Sequence, residues 1–480
     1  MSDASPTAAA GGAAHRGPVR IDAGYEGLLP WVAARLGGSV VACERQGARR
    51  SGGRPAFFVD VAREGGALVR TYARMSRGPG AQSPFFSLAR EHAVLEELFA
   101  AGIAVPEPLG VCDEPEGILL ARLPGDDDYC AIADDAQRDA IDRAFVAELA
   151  KVHALDPARF ERRGLAVPRT PEALAGADLA VWEEGFDRGA RRPVPLVRFA
   201  RGWLRRNAPR EPVAPVLVQG DTGPGQFLFE GHRLTGIVDW EFAHIGDPML
   251  DLAQIRIRDF YNPGADLSKW LALYERASGT RIDAARLRYY TVKAMLITPL
   301  ALAGVVHDMH PRTDHAEWYA QDVCYQRGTA EALAEAMGIA LEPVALPDPP
   351  PGERADVLAL LEENLANELG PGASDAFLRH RTAVARRLAT YARNLERLGP
   401  AFEAMELDDM ARLLGGARPA SVAAGRAAID ALVAAAGPER DEEILRYLHR
   451  HTVREERLMA GALGAGEHAR LQPLTLPGLA

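Results

Sequence analysis

Cysteine is scarce and scattered in this chain: four residues in 480, Cys43, Cys112, Cys130 and Cys324, with no CxxC pair. That excludes a disulfide framework and a zinc knuckle, and a reducing cytoplasm is the expected location. Aromatic residues make up only 7%, and acidic residues outnumber basic ones 66 to 55, for a formal net charge of −11. Such a balance offers no electrostatic footprint for nucleic acid, so small molecules are the expected partners. No apolar run reaches the roughly 18 residues that a membrane span needs. The longest, AMLITPLALAGVV from Ala294, reads as a buried helix. Residues 1–18 lack the charged start and apolar core of a signal peptide and read as a disordered lead.

What is present divides the chain. LEPVALPDPPPGE, residues 341–353, has five prolines in thirteen positions and reads as an extended linker. Before it, residues 39–72 alternate like strands in VVACERQ, PAFFVDVA and ALVRTYA, separated by SGG and EGG turns, which predicts an antiparallel meander. SLAREHAVLEELFAAG follows as a helix with Leu88, Leu95 and Leu98 on one face and Gly102 as its stop. Two more short strands fall around Val111 and Leu119. Beyond residue 130 the pattern is mainly helical. The expected organisation is α+β: a small antiparallel-sheet lobe at 19–125, a larger, mainly helical lobe at 126–340, the linker, and a helical bundle at 354–480. In the bundle Phe377, Val384, Leu388, Tyr391, Leu395 and Leu398 recur at helical spacing, and DVLALLEENLANEL and EEILRYLHRH carry similar stripes. These helices have no catalytic constellation and could dock a protein partner or self-associate.

The chemistry concentrates in VLVQGDTGPGQFLF, residues 216–229. Asp221 lies in a glycine-rich turn; QFLF, EGHR and LTGIVDW then read as strand, turn and strand, with Gly231 in the turn. The hairpin returns Asp239 to the neighbourhood of Gln226, since paired residues on adjacent antiparallel strands lie about 5 Å apart. Oxygen donors of this kind suit Mg²⁺ with substrate phosphates, and a further carboxylate can accept a hydroxyl proton. On that reading Gln226 and Asp239 bind metal and Asp221 orients or deprotonates an acceptor. The alternative is an Asx-turn at Asp221 and an aspartate that merely ends a strand. In GDPMLDLA, Asp247 and Pro248 read as an N-cap followed by proline at the first helical position.

Two charges in the first lobe ask for partners. Alternation places Arg70 with Leu68 and Tyr72, and helical spacing places Glu91 with Leu88, Leu95 and Leu98. Pairing them would satisfy both and present a guanidinium to phosphates; the alternative is a solvated arginine and a surface glutamate. GDTGPGQF itself lacks the G-x-x-x-x-G-K-[ST] of a phosphate loop. His307, His310 and His315 in HDMHPRTDH read as surface or substrate-pocket residues before metal ligands.

SGGR at 51–54, LVR ending at Arg70, REH with Glu91, KVHALD with His153 and Asp156, QGDTGPGQ, IVDWE and GDPMLDLA stand in one order over roughly residues 35–335. In that order they resemble the aminoglycoside phosphotransferase and choline kinase group, relatives of the protein kinases. The resemblance implies a two-lobed kinase-like fold, ATP between the lobes, Mg²⁺, and phosphate transfer to the hydroxyl of a small molecule. It implies Asp221 as catalytic base, Gln226 and Asp239 as metal ligands, and Arg70 as phosphate-binding cation with Glu91 as its partner. Ser51, Gly52 and Gly53 would cover the phosphates, and the strand GILLARLPG, with Leu120 and Arg122, would lie against adenine. Three positions depart from the family pattern: Gln219 replaces histidine, Gln226 replaces asparagine, and SGGR lacks the usual Ser-Asn. These departures leave room for a second reading, a nucleotide-binding regulatory or scaffold protein of the same fold with weak or no catalysis.

Overall fold

Strands β1 (Gly38–Arg45), β2 (Ala56–Arg63) and β3 (Leu68–Met75) form where β-branched and aromatic residues alternate with polar ones, and Gly65 and Gly66, at φ +91° and +83°, turn β2 into β3. All pairings are antiparallel, and β4 (Pro108–Asp113) and β5 (Glu116–Ala121) complete a sheet of order β1-β2-β3-β5-β4. The computed structural model describes residues 19–46, 54–78, 84–261, 263–311, 313–352 and 354–474. Chain contacts divide into two units, one of Met1–Gln46, Arg54–Ala81 and Glu107–Arg122, the other of Gly47–Gly53, Gln82–Pro106 and Leu123–Ala480.

In the first unit helix α1 (Leu28–Leu36) lays Leu28, Val32 and Leu36 over Phe57, Val59, Val61, Ala73, Met75 and Leu119. Fully burying a side chain of this size stabilises by about 1.5–3 kcal/mol, so this layer holds the sheet. It also decides the faces of β3: Thr71 and Ala73 point into the protein, while Leu68 is 49% exposed and Arg70 is exposed.

The second unit begins with α2 (Leu88–Ala100), whose N-cap Ser87 accepts from the Arg90 N–H and whose buried face carries Leu88, Glu91, Leu95 and Leu98. Gly102 follows at φ +76°. Further on come α3 (Asp135–His153), α4 (Pro195–Arg206), strand β6 (Val216–Val218), the hairpin β7 (Phe227–Glu230) and β8 (Arg233–Ile237), and β9 (His244–Gly246), which pairs with β6. Helices α5 (Pro248–Tyr261), α6 (Leu267–Ser278), α7 (Ala284–His307) and α8 (His315–Met337) complete this part. The apolar run from Ala294 lies in α7, which by length and composition could cross a membrane, but 67% of its apolar window is buried in the protein.

Residues 338–352 run without helix or strand, with Leu346 against Leu398, Phe402 and Leu458. After them α9 (Ala376–Leu414), α10 (Val422–Ala435) and α11 (Asp441–Leu458) pack in the second unit. Arg387 of α9 bonds Glu317 at 2.8 Å and Arg198 of α4 pairs with Asp430 of α10 at 2.8 Å. The expected apolar stripe on α9 is only partly inward. Val384 and Leu398 are buried, but Leu388 and Leu395 are 39% and 38% exposed. Their expected places are taken by polar residues: Asn394 donates to the carbonyls of Leu458 and Ala460, and Arg387 to those of Ala462 and Leu463. In the short helix Ala355–Glu363, Val357, Leu360 and Leu361 are exposed as well.

Candidate active site

Helix α5 organises the loop that carries Asp221. Asp247 caps it, accepting from the Met249 N–H at 2.9 Å, with Pro248 at its first position; the other Asp247 oxygen takes the Arg286 guanidinium at 2.8 Å. One turn on, the fully buried Asp251 accepts the backbone N–H groups of Gln219 and Gly220, both at 2.9 Å, and bonds His153 Nε2 at 3.1 Å. His153 Nδ1 in turn meets the Tyr274 hydroxyl at 2.7 Å. Burial opposes the charge on Asp251, but the His153 bond and the Gly220 N–H outweigh it and hold the carboxyl below its ordinary range. The loop is thus fixed by a buried carboxylate before any substrate arrives.

Gln219, at the family's histidine position, donates through Nε2 to the Val238 carbonyl at 2.6 Å and ties the loop to the end of β8. Gly220 has φ +85°, and a Cβ there would sit 2.6 Å from the Phe242 carbonyl oxygen, so the turn requires glycine. The hairpin closes as the alternation predicts: Val238 N–H donates to the Gln226 carbonyl at 2.9 Å, which sets Asp239 beside Gln226. Asp239 is the one non-glycine residue with positive φ, +61°, among the described residues, a conformation that costs about 1–3 kcal/mol and that clusters at functional sites.

Asp221 and Gln226 are brought into contact: Gln226 Nε2 donates to Asp221 Oδ2 at 2.6 Å. A third group, absent from the sequence reading, is Arg258 of α5, seven residues after Asp251 and therefore on the same face. Its Nε donates to Asp221 Oδ1 at 2.9 Å and its Nη2 bonds Oδ2, forming a fork on the carboxylate. Burial pushes the Asp221 carboxyl up to about 6; Arg258 pulls it down, and the charges of Asp239 and Glu241 push it up again. The site therefore holds one carboxylate near neutrality, repelled by a second and clamped by a guanidinium.

The donor set fits a hard divalent cation: Asp239 offers carboxylate oxygens, Gln226 keeps its amide oxygen while its nitrogen serves Asp221, and the mutual repulsion of Asp221 and Asp239 is what a cation would relieve. Among the described residues no three His, Cys, Asp or Glu side chains form a metal-holding group. In HDMHPRTDH the His315 ring bonds the His310 backbone, and His307 accepts from the Arg191 N–H at 3.2 Å.

The other expected site residues fall in different places. Ser51, Gly52 and Gly53 lie outside the described residues. Arg70 lies on β3 in the first unit with its side chain exposed, whereas Glu91 is 2% exposed on α2 in the second unit. On the same face of β3 it is Arg74, only 9% exposed, that is the buried charge. Sequence alternation cannot separate the two arginines, because positions 70, 72 and 74 have one parity and only burial in the folded chain tells which is covered. Leu120 is buried on β5 opposite Tyr72, and the Arg122 guanidinium lies 4.1 Å from the Phe58 ring centre.

A five-stranded antiparallel sheet, a mainly helical second unit and a carboxylate loop braced by a helix define a kinase-like fold. It is shared with a candidate aminoglycoside phosphotransferase from Ralstonia eutropha JMP134, at TM-score 0.51 and 17% identity over 66% of this chain and 98% of that one. The chain belongs to the phosphotransferase enzyme family, whose model matches residues 51–292, about half of its length. It is similar to acyl-CoA dehydrogenase family member 11 of Rattus norvegicus, 24% identical over 62% of this chain, and spans 40% of that relative's length. It is also similar to viomycin phosphotransferase of Streptomyces vinaceus, 30% identical over 39% of this chain and 65% of that protein.

Proposed function

We propose that this chain transfers the γ-phosphate of ATP to the hydroxyl of a small molecule. The observation that carries the reading is Asp221, held in a glycine turn by Arg258 and Gln226 within the matched family region. Asp221 would accept the acceptor's hydroxyl proton at a carboxylate oxygen as the oxygen attacks phosphorus. Its burial suits that role, because a base works best with a pKa close to the operating pH. Arg258 would keep the carboxylate ionised and aimed while the acceptor settles, and Gln219 and Asp251 would keep the loop from moving as charge shifts. Gln226 and Asp239 would hold Mg²⁺, which when bound neutralises phosphate charge. Ser51, Gly52, Gly53, Arg70, Leu120 and Arg122 would contact the nucleotide, with Glu91 supporting a phosphate-binding arginine.

The relatives' names suggest the acceptors to try: a hydroxyacyl thioester from the acyl-CoA dehydrogenase name, a cationic antibiotic from the viomycin name. Amino alcohols complete the panel. The test is turnover of Mg²⁺-ATP by the full chain with each acceptor. Turnover stimulated at least tenfold by one class supports the reading and names the acceptor. No stimulation, together with metal-dependent ATP stabilisation in a thermal shift, favours the second reading, a nucleotide-binding regulator whose base is held permanently by Arg258.

A further inference from the structure

Helix α5 has two working faces. Asp251 and Arg258 look toward the Asp221 loop. Arg256, five residues past Asp251 and so on the other side of the helix, is 1% exposed and fully engaged. Its Nη1 and Nη2 fork onto Glu335 of α8 at 2.7 and 3.1 Å, and its Nε and Nη2 donate to the carbonyl of Gln472 at 3.1 and 2.5 Å. Gln472 belongs to the segment that follows α11, far outside the region matched by the family model. That segment is seated along its length. Arg327 of α8, which also pairs with Glu456 of α11 at 2.6 Å, donates to the Ala469 carbonyl at 2.5 Å, the Arg470 N–H donates to the Phe260 carbonyl at 3.2 Å, and Leu474 N–H donates to Glu335 at 3.2 Å. Gly466 packs so closely that a Cβ would stand 2.8 Å from Cys324 Sγ.

We infer that Arg256 is a positioning residue through which the segment 466–474 sets α5, and with it the Asp251 and Arg258 holds on the Asp221 loop. The appended helices are on this account part of the transfer machinery. A buried guanidinium needs its full set of acceptors, and here one of them, the Gln472 carbonyl, is supplied only by the C-terminal segment. Withdrawing it leaves Arg256 short of an acceptor on a helix whose opposite face fixes two backbone amides of the loop. The inference rests on the reading of that loop as the transfer site.

The experiment uses the full chain with Arg256→Met, Arg256→Lys and Gly466→Val, which crowds Cys324 of α8 and the Tyr261 ring at the end of α5 while leaving Arg256 itself in place. Amide hydrogen exchange across 216–226 is measured beside kcat and KM for Mg²⁺-ATP turnover. The expected result for Arg256→Met and Gly466→Val is exchange at Gln219 and Gly220 about tenfold faster than in the wild type and above the change elsewhere in the unit. The kcat falls about tenfold with KM for ATP unchanged, and Arg256→Lys, which keeps its charge toward Glu335, lies between. Folded variants with wild-type exchange in 216–226, or with exchange accelerated equally throughout the unit, overturn the inference. A wild type without turnover whose loop exchange still responds to both variants would sink the transfer reading and leave the coupling standing.

Discussion

On the proposed reading Gln226 divides one amide between two tasks: its nitrogen holds Asp221, and its oxygen would serve a cation. Asparagine is shorter by a methylene, about 1.5 Å of reach, and cannot span the same gap. Gln226→Asn should therefore lose the bond to Asp221, and since a hydrogen bond to a charged group contributes about 1.5–3 kcal/mol, kcat should fall at least about tenfold. Unchanged kcat in steady-state assays would show that this bond is not used. Asp221, Gln226 and Asp239 could be read from the sequence because a turn and a hairpin, both local, bring them together. Arg258 could not, since it lies 37 residues beyond Asp221 and its direction depends on how α5 packs. Arg74 was hidden for a related reason: parity gives it the same face as Arg70, and burial alone tells them apart.

Among the elements, α8 carries a charge that the fold makes costly. Asp322 is buried, and burial pushes its carboxyl up to about 7, against opposing contributions from Gln326 and Arg192. It lines a cavity of about 60 Å³ with His307, Tyr319, Arg426 and Glu455. With a raised folded-state pKa, the native state holds a proton that the unfolded chain has released, so this group's contribution to stability falls as pH rises from the ordinary carboxyl range through about 7. Asp322→Asn should raise Tm by roughly 2–4 °C at pH 8 and bring no gain at pH 4, as thermal unfolding at both values would show. The strands of the sheet and the apolar face of α2 were legible because their periods are set by backbone geometry. The inward face of α9 was not, since Asn394 and Arg387 occupy it by satisfying backbone carbonyls of a segment about 65–75 residues later.

At the scale of the molecule, a sheet unit and a helical unit carry the family match, and the helices beyond residue 354 add buried ion pairs to the second of them. The order of motifs along the sequence was enough to indicate this fold, whereas the seating of the C-terminal segment on α5 was not, because backbone carbonyls such as that of Gln472 leave no mark in side-chain patterns. Every functional claim converges on Asp221. The most direct measurement is Mg²⁺-ATP turnover by full-length Asp221→Asn beside the wild type, with ATP binding followed by thermal shift. The account predicts turnover reduced by about a thousandfold or more with ATP stabilisation retained. Turnover at the wild-type rate would contradict it.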